Sequence, residues 1–204
     1  MLFYSSYHLL VVVINYLTVI FSRIILPLFC VCLSVVSVRA QSARGKQKLS
    51  IGIEQDLLPY VTGGYYAAAW CGKNHVRGRA LVAHVHKPGF ITPEGFTNNR
   101  VTAYALLVDY FLNTGWKGWW AGAGLVYWDS SIQRTAAGNT AYYGNTLLNG
   151  SIGFQWKFYK NFYLCPWAGL HLRVGGAQHV TIDGASFSTP VLNPEASLKA
   201  GWYF

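Results

Sequence analysis

Charged side chains are scarce in this chain, 11% of its 204 residues against about 25% in an ordinary soluble protein. Acids are scarcer still, with seven Asp and Glu against sixteen Lys and Arg. With hydrophobic residues at 52%, aromatics at 16% and 21 Gly, a disordered chain and an ordinary soluble helical bundle are both excluded. Of four cysteines, Cys30 and Cys32 fall in the first forty residues, which leaves only Cys71 and Cys165 beyond them. Two thiols make no disulfide scaffold. They either pair in an oxidising compartment or serve as small apolar fillers. Cys-x-x-Cys spacing is absent, so no metal site and no cofactor is expected. Gly63-Gly64, Gly138 and Gly175-Gly176 read as turn glycines, because none opens a helix after a strand as a phosphate cradle does.

Long hydrophobic runs are confined to the start. Leu9 to Phe21 and Ile24 to Val38 form two apolar blocks around Ser22-Arg23. Arg23, the apolar core behind it and Val38-Arg39-Ala40 match the charged, hydrophobic and small-residue parts of a secretory signal. Residues 1–40 are therefore expected to be a signal peptide cleaved after Ala40, with residues 41–204 as the mature domain. A retained transmembrane helix within Leu9 to Val38 is the alternative. Arg23 and Arg39 account for two of the sixteen bases, leaving fourteen against seven acids in the mature part. Without a basic run this excess gives no nucleic-acid footprint, and it suits an anionic membrane surface.

From Lys48 onward the pattern becomes alternation, the period-2 signature of strands with one apolar face. In the last segment Leu192, Ala196, Leu198, Ala200, Trp202 and Phe204 oppose Asn193, Glu195, Ser197, Lys199 and Gly201. Seven further segments follow the rule in varying degree: Leu49 to Asp56, Tyr65 to Gly72, Asn74 to His86, Arg100 to Leu112, Trp116 to Ser130, Leu148 to Phe158 and Phe162 to Arg173. The fourth is apolar on both faces apart from Asp109. Joins after segments two, four and six are tight, while those after one, three, five and seven are long. Strict alternation of short turns and long loops is the mark of a closed up-and-down barrel. The fold expected is all-β, an eight-stranded antiparallel up-and-down transmembrane β-barrel behind an N-terminal helical signal segment. Aromatic residues near the segment ends read as interfacial girdles: Trp70, Trp116, Trp119, Trp156, Phe158, Phe162, Tyr163 and Trp202 by the turns, Tyr127 and Trp128 by the loops.

Residues 48–204, ending in Gly201-Trp202-Tyr203-Phe204, resemble the small eight-stranded outer-membrane β-barrel proteins of Gram-negative bacteria. The resemblance implies an outer-membrane location in the cell envelope. It also implies that Leu198, Ala200, Trp202 and Phe204 form the terminal signal read by the barrel-assembly machinery. Expected partners are that machinery, outer-membrane lipid and lipopolysaccharide, and an unidentified ligand of the outer loops, with no nucleic acid.

With apolar faces outward, the inward set comprises Glu54, Asp56, Arg77, Arg79, Asp109, Gln155, Lys157, His171, Arg173, Glu195 and Lys199. An eight-stranded barrel is just wide enough for its own side chains, and buried ions must be paired, so a filled polar lumen with a structural or surface-interaction role is expected. A narrow porin-like ion channel is a competing reading. Another is a lipid A acyltransferase or deacylase, as two known small barrels resembling this one are; it would draw on His84, His86, Asp129 and Ser130 at the loop end, near His179. A soluble lipocalin-like carrier, apolar within and polar without, is the third.

Overall fold

A computed structural model describes residues 49–136 and 138–204. The expected signal segment, residues 1–40, lies outside the described residues. The chain forms β1 (Ser50–Asp56), a one-turn helix α1 (Leu57–Val61), β2 (Tyr65–Lys73), β3 (Val76–His86), β4 (Phe96–Phe111), β5 (Gly118–Arg134), β6 (Thr140–Tyr159), β7 (Phe162–Gly176), a hairpin of β8 (His179–Ile182) and β9 (Ala185–Ser188), and β10 (Leu192–Tyr203). Eight of these strands close a barrel in the order β1-β10-β7-β6-β5-β4-β3-β2, every pair antiparallel, and β8 and β9 form a separate two-stranded sheet. Closure leaves no sheet edge where all eight strands are present.

The strands outrun their sequence-based limits. β4 begins at Phe96 rather than Arg100, β5 continues to Arg134, and β6 starts at Thr140 rather than Leu148. The β5–β6 ladder runs unbroken from Gly118↔Gln155 to Gln133↔Thr140. Beyond Tyr127 the outward residues turn polar, so apolar alternation stops although backbone pairing does not. At the opposite end, Asn74-His75 makes a two-residue turn closed by Lys73↔Val76, with Asn74 in the left-handed region at φ 60°.

Alternation decides which side chains face the lumen. Ile51, Ile53, Leu106, Val108, Leu125, Leu148, Ile152, Leu170 and Leu172 lie on the outer face, each at least 40% exposed. Glu54, Arg77, Asp109, Gln155 and Lys199 lie inside, none more than 2% exposed. In the turn-side half this is the reverse of a soluble carrier, whose apolar side chains turn inward. The girdle expectation needs correction at four positions. Trp70, Trp116 and Tyr163 are buried in the lumen, and Trp128 packs from within beside His171; Trp70, Trp128 and Tyr163 share strand parity with inward residues, while Trp116 turns in from the β4–β5 connection. Trp119, Trp156, Phe158, Phe162, Trp202 and Tyr127 are exposed, and Trp202 stacks on Phe162 with ring centroids 5.3 Å apart.

Large indoles fit inside because glycine faces them. A Cβ on Gly153 would lie 2.6 Å from Trp120 Cζ2, and one on Gly52 would meet the Trp70 indole. Gly150, on the same strand as Gly153, meets nothing within 4 Å. Gly153→Leu is therefore expected to cost about 1–3 kcal/mol by overpacking, whereas Gly150→Ala stays within about 0.5 kcal/mol. Urea unfolding followed by Trp fluorescence checks the contrast.

Candidate functional site

The lumen has two halves of different chemistry. At the turn side, Glu54 from β1 sits among three cations. Arg79 Nη1 donates to its Oε1 at 2.8 Å, Arg77 Nη1 to its Oε2 at 3.4 Å, and Lys199 Nζ lies 3.7 Å from Oε1. Asp109 accepts from Arg77 Nε at 2.8 Å and from Arg79 Nη2 at 3.1 Å. Tyr163 donates to Glu54 at 3.0 Å and accepts from Trp70 Nε1 at 3.0 Å. Gln155 accepts from Arg77 and donates to the Trp116 carbonyl at 2.7 Å.

Asp56 completes the balance of three acids against three bases. Its carboxylate accepts from Ser197, from Trp167 Nε1 at 2.8 Å and from the Leu58 amide at 3.1 Å. The last bond makes Asp56 the N-cap of α1, so one acid both serves the lumen and stops β1. Trp70, Phe111 and Trp120 enclose the Arg77 guanidinium at 5.0–5.6 Å from their ring centroids, within cation–π range. Charge and aromatic volume together fill the cross-section here.

Towards the loops the filling stops. Inward positions on β3 and β4 are small or aliphatic here, while β2 contributes Ala68 and Tyr66; Tyr66, Ala83, Val101, Ala103, Ala105, Leu107 and Val126 line a cavity of about 530 Å³. The filled polar lumen of the sequence analysis is corrected in this half. Charged groups leave β2–β4 here, where Tyr66 supplies the one inward hydroxyl, and alanines do not reach across the barrel. Val101 to Leu107 span six residue steps, so the hollow runs about 20 Å along β4 at strand rise.

A slot in the wall joins this hollow to the outer surface. β1 pairs with β10 only from Gly52↔Tyr203 to Asp56↔Lys199, and with β2 only from Ser50↔Gly72 to Glu54↔Ala68. β10 from Leu192 to Leu198 has no strand on its β1 side, and β2 from Tyr65 to Ala67 is not paired to β1. Helix α1 occupies the gap and contacts β10, β2 and β3. The Tyr60 hydroxyl donates to Gln55 Oε1 at 2.7 Å and lies 3.2 Å from the Tyr66 carbonyl, which places it between the end of β1 and the open β2 edge. The free stretch of β10 carries Pro194, as befits an edge. Leu192, Pro194 and Ala196 from the outer face of β10 and Asn193 and Glu195 from its inner face line the same cavity. The hollow thus wraps the strand edge.

Of the three cations that line the hollow, Arg79 and Lys199 belong to the ion network around Glu54, which leaves Lys87. Lys87 lines both the main cavity and a small annex shared with Arg173. Its ammonium lies 4.6 Å from the Trp128 ring centroid. Burial pushes the Lys87 pKa down from its usual range, and the Glu195 carboxylate opposes that. Arg173 reaches only the Thr189 carbonyl, at 3.5 Å, and its Nε has no partner. Among the described residues neither cation has a carboxylate within ion-pair distance. Glu195 instead holds His171 Nε2 at 2.9 Å.

The remaining sequence candidates are dispersed. Lys157 sits at the turn-side rim and donates to the Tyr203 hydroxyl at 2.6 Å. His84 and Asp129 share an outward row through Thr102, and His84 Nδ1 lies 3.0 Å from Thr102 Oγ1. His86 pairs with Arg100 on the same face. Ser130 points the other way, 2% exposed, with its hydroxyl unpartnered. The four residues named for acyl chemistry therefore do not converge, because neighbouring strand residues face opposite ways. His179 belongs to the β8–β9 hairpin, where it bonds Ser188. Cys71 is exposed on the outer face and Cys165 is buried in the lumen, accepting from Trp120 Nε1 at 3.2 Å; both are free thiols.

Glu54 holds the plug together, and Glu54→Leu would leave two buried guanidinium groups short of a counter-charge. Removing one partner of a buried network costs about 3–5 kcal/mol. The variant is expected to lose that much in urea unfolding, while Glu195→Gln, at the open end, loses less than about 1 kcal/mol.

No protein-family model matches the chain, and no curated protein matches it. Among solved structures, the crystal structure of Neisserial surface protein A (NspA) is similar to it at 10% identity and a TM-score of 0.42, over 76% of this chain and 94% of that one.

Proposed function

We propose that the chain is an outer-membrane β-barrel that crosses the bilayer with its eight strands, sealed to ions at the turn side, with a surface-interaction role at the loop side. The observation that carries this reading is the polarity of the wall. Outward residues from Ile51 on β1 to Trp202 on β10 are apolar and exposed, while the paired ions are inside. Water would expel such a surface; hydrocarbon solvates it, and closure satisfies the backbone groups that lipid cannot. Crossing falls to the strands, since no helix among the described residues is long and apolar enough.

Outward charge returns only at the ends. Lys73 lies near the turns, and Arg100, His84, His86 and Asp129 form a polar band below the loops. Arg100 with the two histidines suits the phosphates of lipopolysaccharide. Leu198, Ala200, Trp202 and Phe204 all face outward on or just beyond β10, available for the barrel-assembly role their pattern implies. No catalytic role is assigned. The Ser130 hydroxyl is walled off from the outward His84 and Asp129.

Membrane-extracted chain is expected to migrate faster on a gel before boiling than after, and to remain insoluble as residues 41–204 without detergent. In planar bilayers it should not conduct, because the plug around Glu54 fills the bore. Detergent-free solubility with a folded circular-dichroism spectrum would overturn the membrane reading. Steady single-channel conductance would overturn the seal.

A further inference from the structure

We infer that the loop-side hollow is a binding site for one single-chain amphiphile with a carboxylate head, its tail lying along β4 and its head between Lys87 and Arg173. The inference rests on the membrane-barrel reading above and goes beyond it by naming a ligand class. Three independent features converge on it.

The first is shape. A cavity of about 530 Å³ lies within the roughly 300–1,000 Å³ of small-molecule sites, and its run along β4 gives it the proportions of an extended chain rather than a compact ring system. Ala103 is an inward residue that is only half-buried, so its remaining exposure is to the hollow itself.

The second is charge. The alanine- and valine-rich stretch of the cavity leads to Lys87, with Arg173 behind it in the annex; Glu195 also lines the cavity but holds His171, and neither Lys87 nor Arg173 has a carboxylate within ion-pair distance among the described residues. Arg173 keeps an unpartnered Nε beside the annex it shares with Lys87. A half-buried cation without a counter-ion carries a desolvation cost, and an anionic head offsets that cost while its tail removes apolar surface from water.

The third is access. β1 stops at Asp56, and the cavity wraps the free edge of β10, so inner-face and outer-face residues of that strand line one space. Exposed Val61 and Phe90, at 83% and 89%, place further apolar surface on α1 and on the turn after β3. A molecule already dissolved in the surrounding bilayer meets this opening from the side.

The test uses the full chain reconstituted in phosphatidylcholine nanodiscs and a nitroxide-labelled long-chain carboxylic acid, read by electron paramagnetic resonance. A saturable immobilised fraction of about one per chain is expected. The matched nitroxide alcohol should bind at least about tenfold more weakly, the loss of one charge-assisted contact. Lys87→Gln with Arg173→Gln should bring the acid down to the alcohol's affinity without changing the alcohol's. Ala103→Trp, which fills the hollow, should abolish both. Gel heat-modifiability confirms folding of every variant, and Ala103→Leu serves as a milder blockade if the Trp variant does not fold. No immobilised fraction in the folded chain, equal affinity for acid and alcohol, or unchanged binding after Ala103→Trp would overturn the site. A wild-type chain that never shows the heat-modifiable form would instead overturn the barrel reading on which it rests.

Discussion

The ion network around Glu54 is the constraint on which the rest of the barrel depends. One carboxylate from β1 neutralises guanidinium groups from β3 and approaches an ammonium from β10, while Asp109 on β4 holds the same two arginines from the other side. None of these groups reaches water, so each is tolerable only while its partners stay in place. Closing the barrel therefore means bringing first, third, fourth and last barrel strands into one register. Since β1 and β10 are the chain's two ends of the sheet, Glu54–Lys199 is the ion pair that spans the seam, beside the backbone ladder and the Ser197–Asp56 hydrogen bond. A one-residue slip of β1 would turn Glu54 outward and Ile53 inward, replacing a salt bridge with two errors.

A consequence of concentrating ions and indoles at one end is that little bulk is left for the other. Trp70, Trp116, Trp120, Phe111 and Tyr163 pack together in the turn-side half, and glycines such as Gly52 and Gly153 give their rings room to lie flat. In the loop-side half the smaller groups Ala68, Ala83 and Ala105 recur on neighbouring strands. A barrel of eight strands is filled by its side chains only if these are large enough; here they are not, over the stretch from Val101 to Leu107. Plug and hollow are two outcomes of one rule applied to different residues.

Fold was largely legible from residue order, because a period of two is strict wherever one face is apolar and the other polar. β7 and β10 show it without interruption. Strand ends were less legible, since residues such as Thr140, Tyr142 and Ser131 pair in the ladder without any apolar contrast to reveal it. The girdle assignment failed at Trp70, Trp116, Trp128 and Tyr163 for a different reason. Those rings were placed by their distance from turns, whereas strand parity sends Trp70, Trp128 and Tyr163 inward and the left-handed backbone of the β4–β5 turn folds Trp116 back over the lumen. Parity also separates Ser130 from Asp129. That signal was present in the sequence, because adjacent residues of one strand never share a face. The hollow was foreshadowed by β4, whose segment is apolar on both sides: an inward face of Val101, Ala103, Ala105 and Leu107 has no use for the ions opposite Asp109. Position alone could not reveal the slot, because a seven-residue strand and its apolar neighbour Leu57 to Val61 read as an ordinary loop until β10 is seen to continue past Asp56.

The short first strand links these features. Asp56 ends β1 by capping α1 through the Leu58 amide, and Ser197 and Trp167 fix that carboxylate from β10 and β7. Had β1 continued, its next residue, Leu57, would have faced Tyr65 and Leu198 and begun to seal the wall, leaving the hollow open only at the top. Ending there costs the ladder bonds of two strand edges, which are expensive to leave bare beside hydrocarbon. The chain answers with a helix too short to stand alone, held by a cap at one end and the Tyr60 hydroxyl beside the β2 edge at the other. A wall segment made of one helical turn, rather than a strand, is tied to its neighbours by side chains instead of a continuous backbone ladder. It is accordingly the place where the barrel opens sideways with the fewest broken bonds.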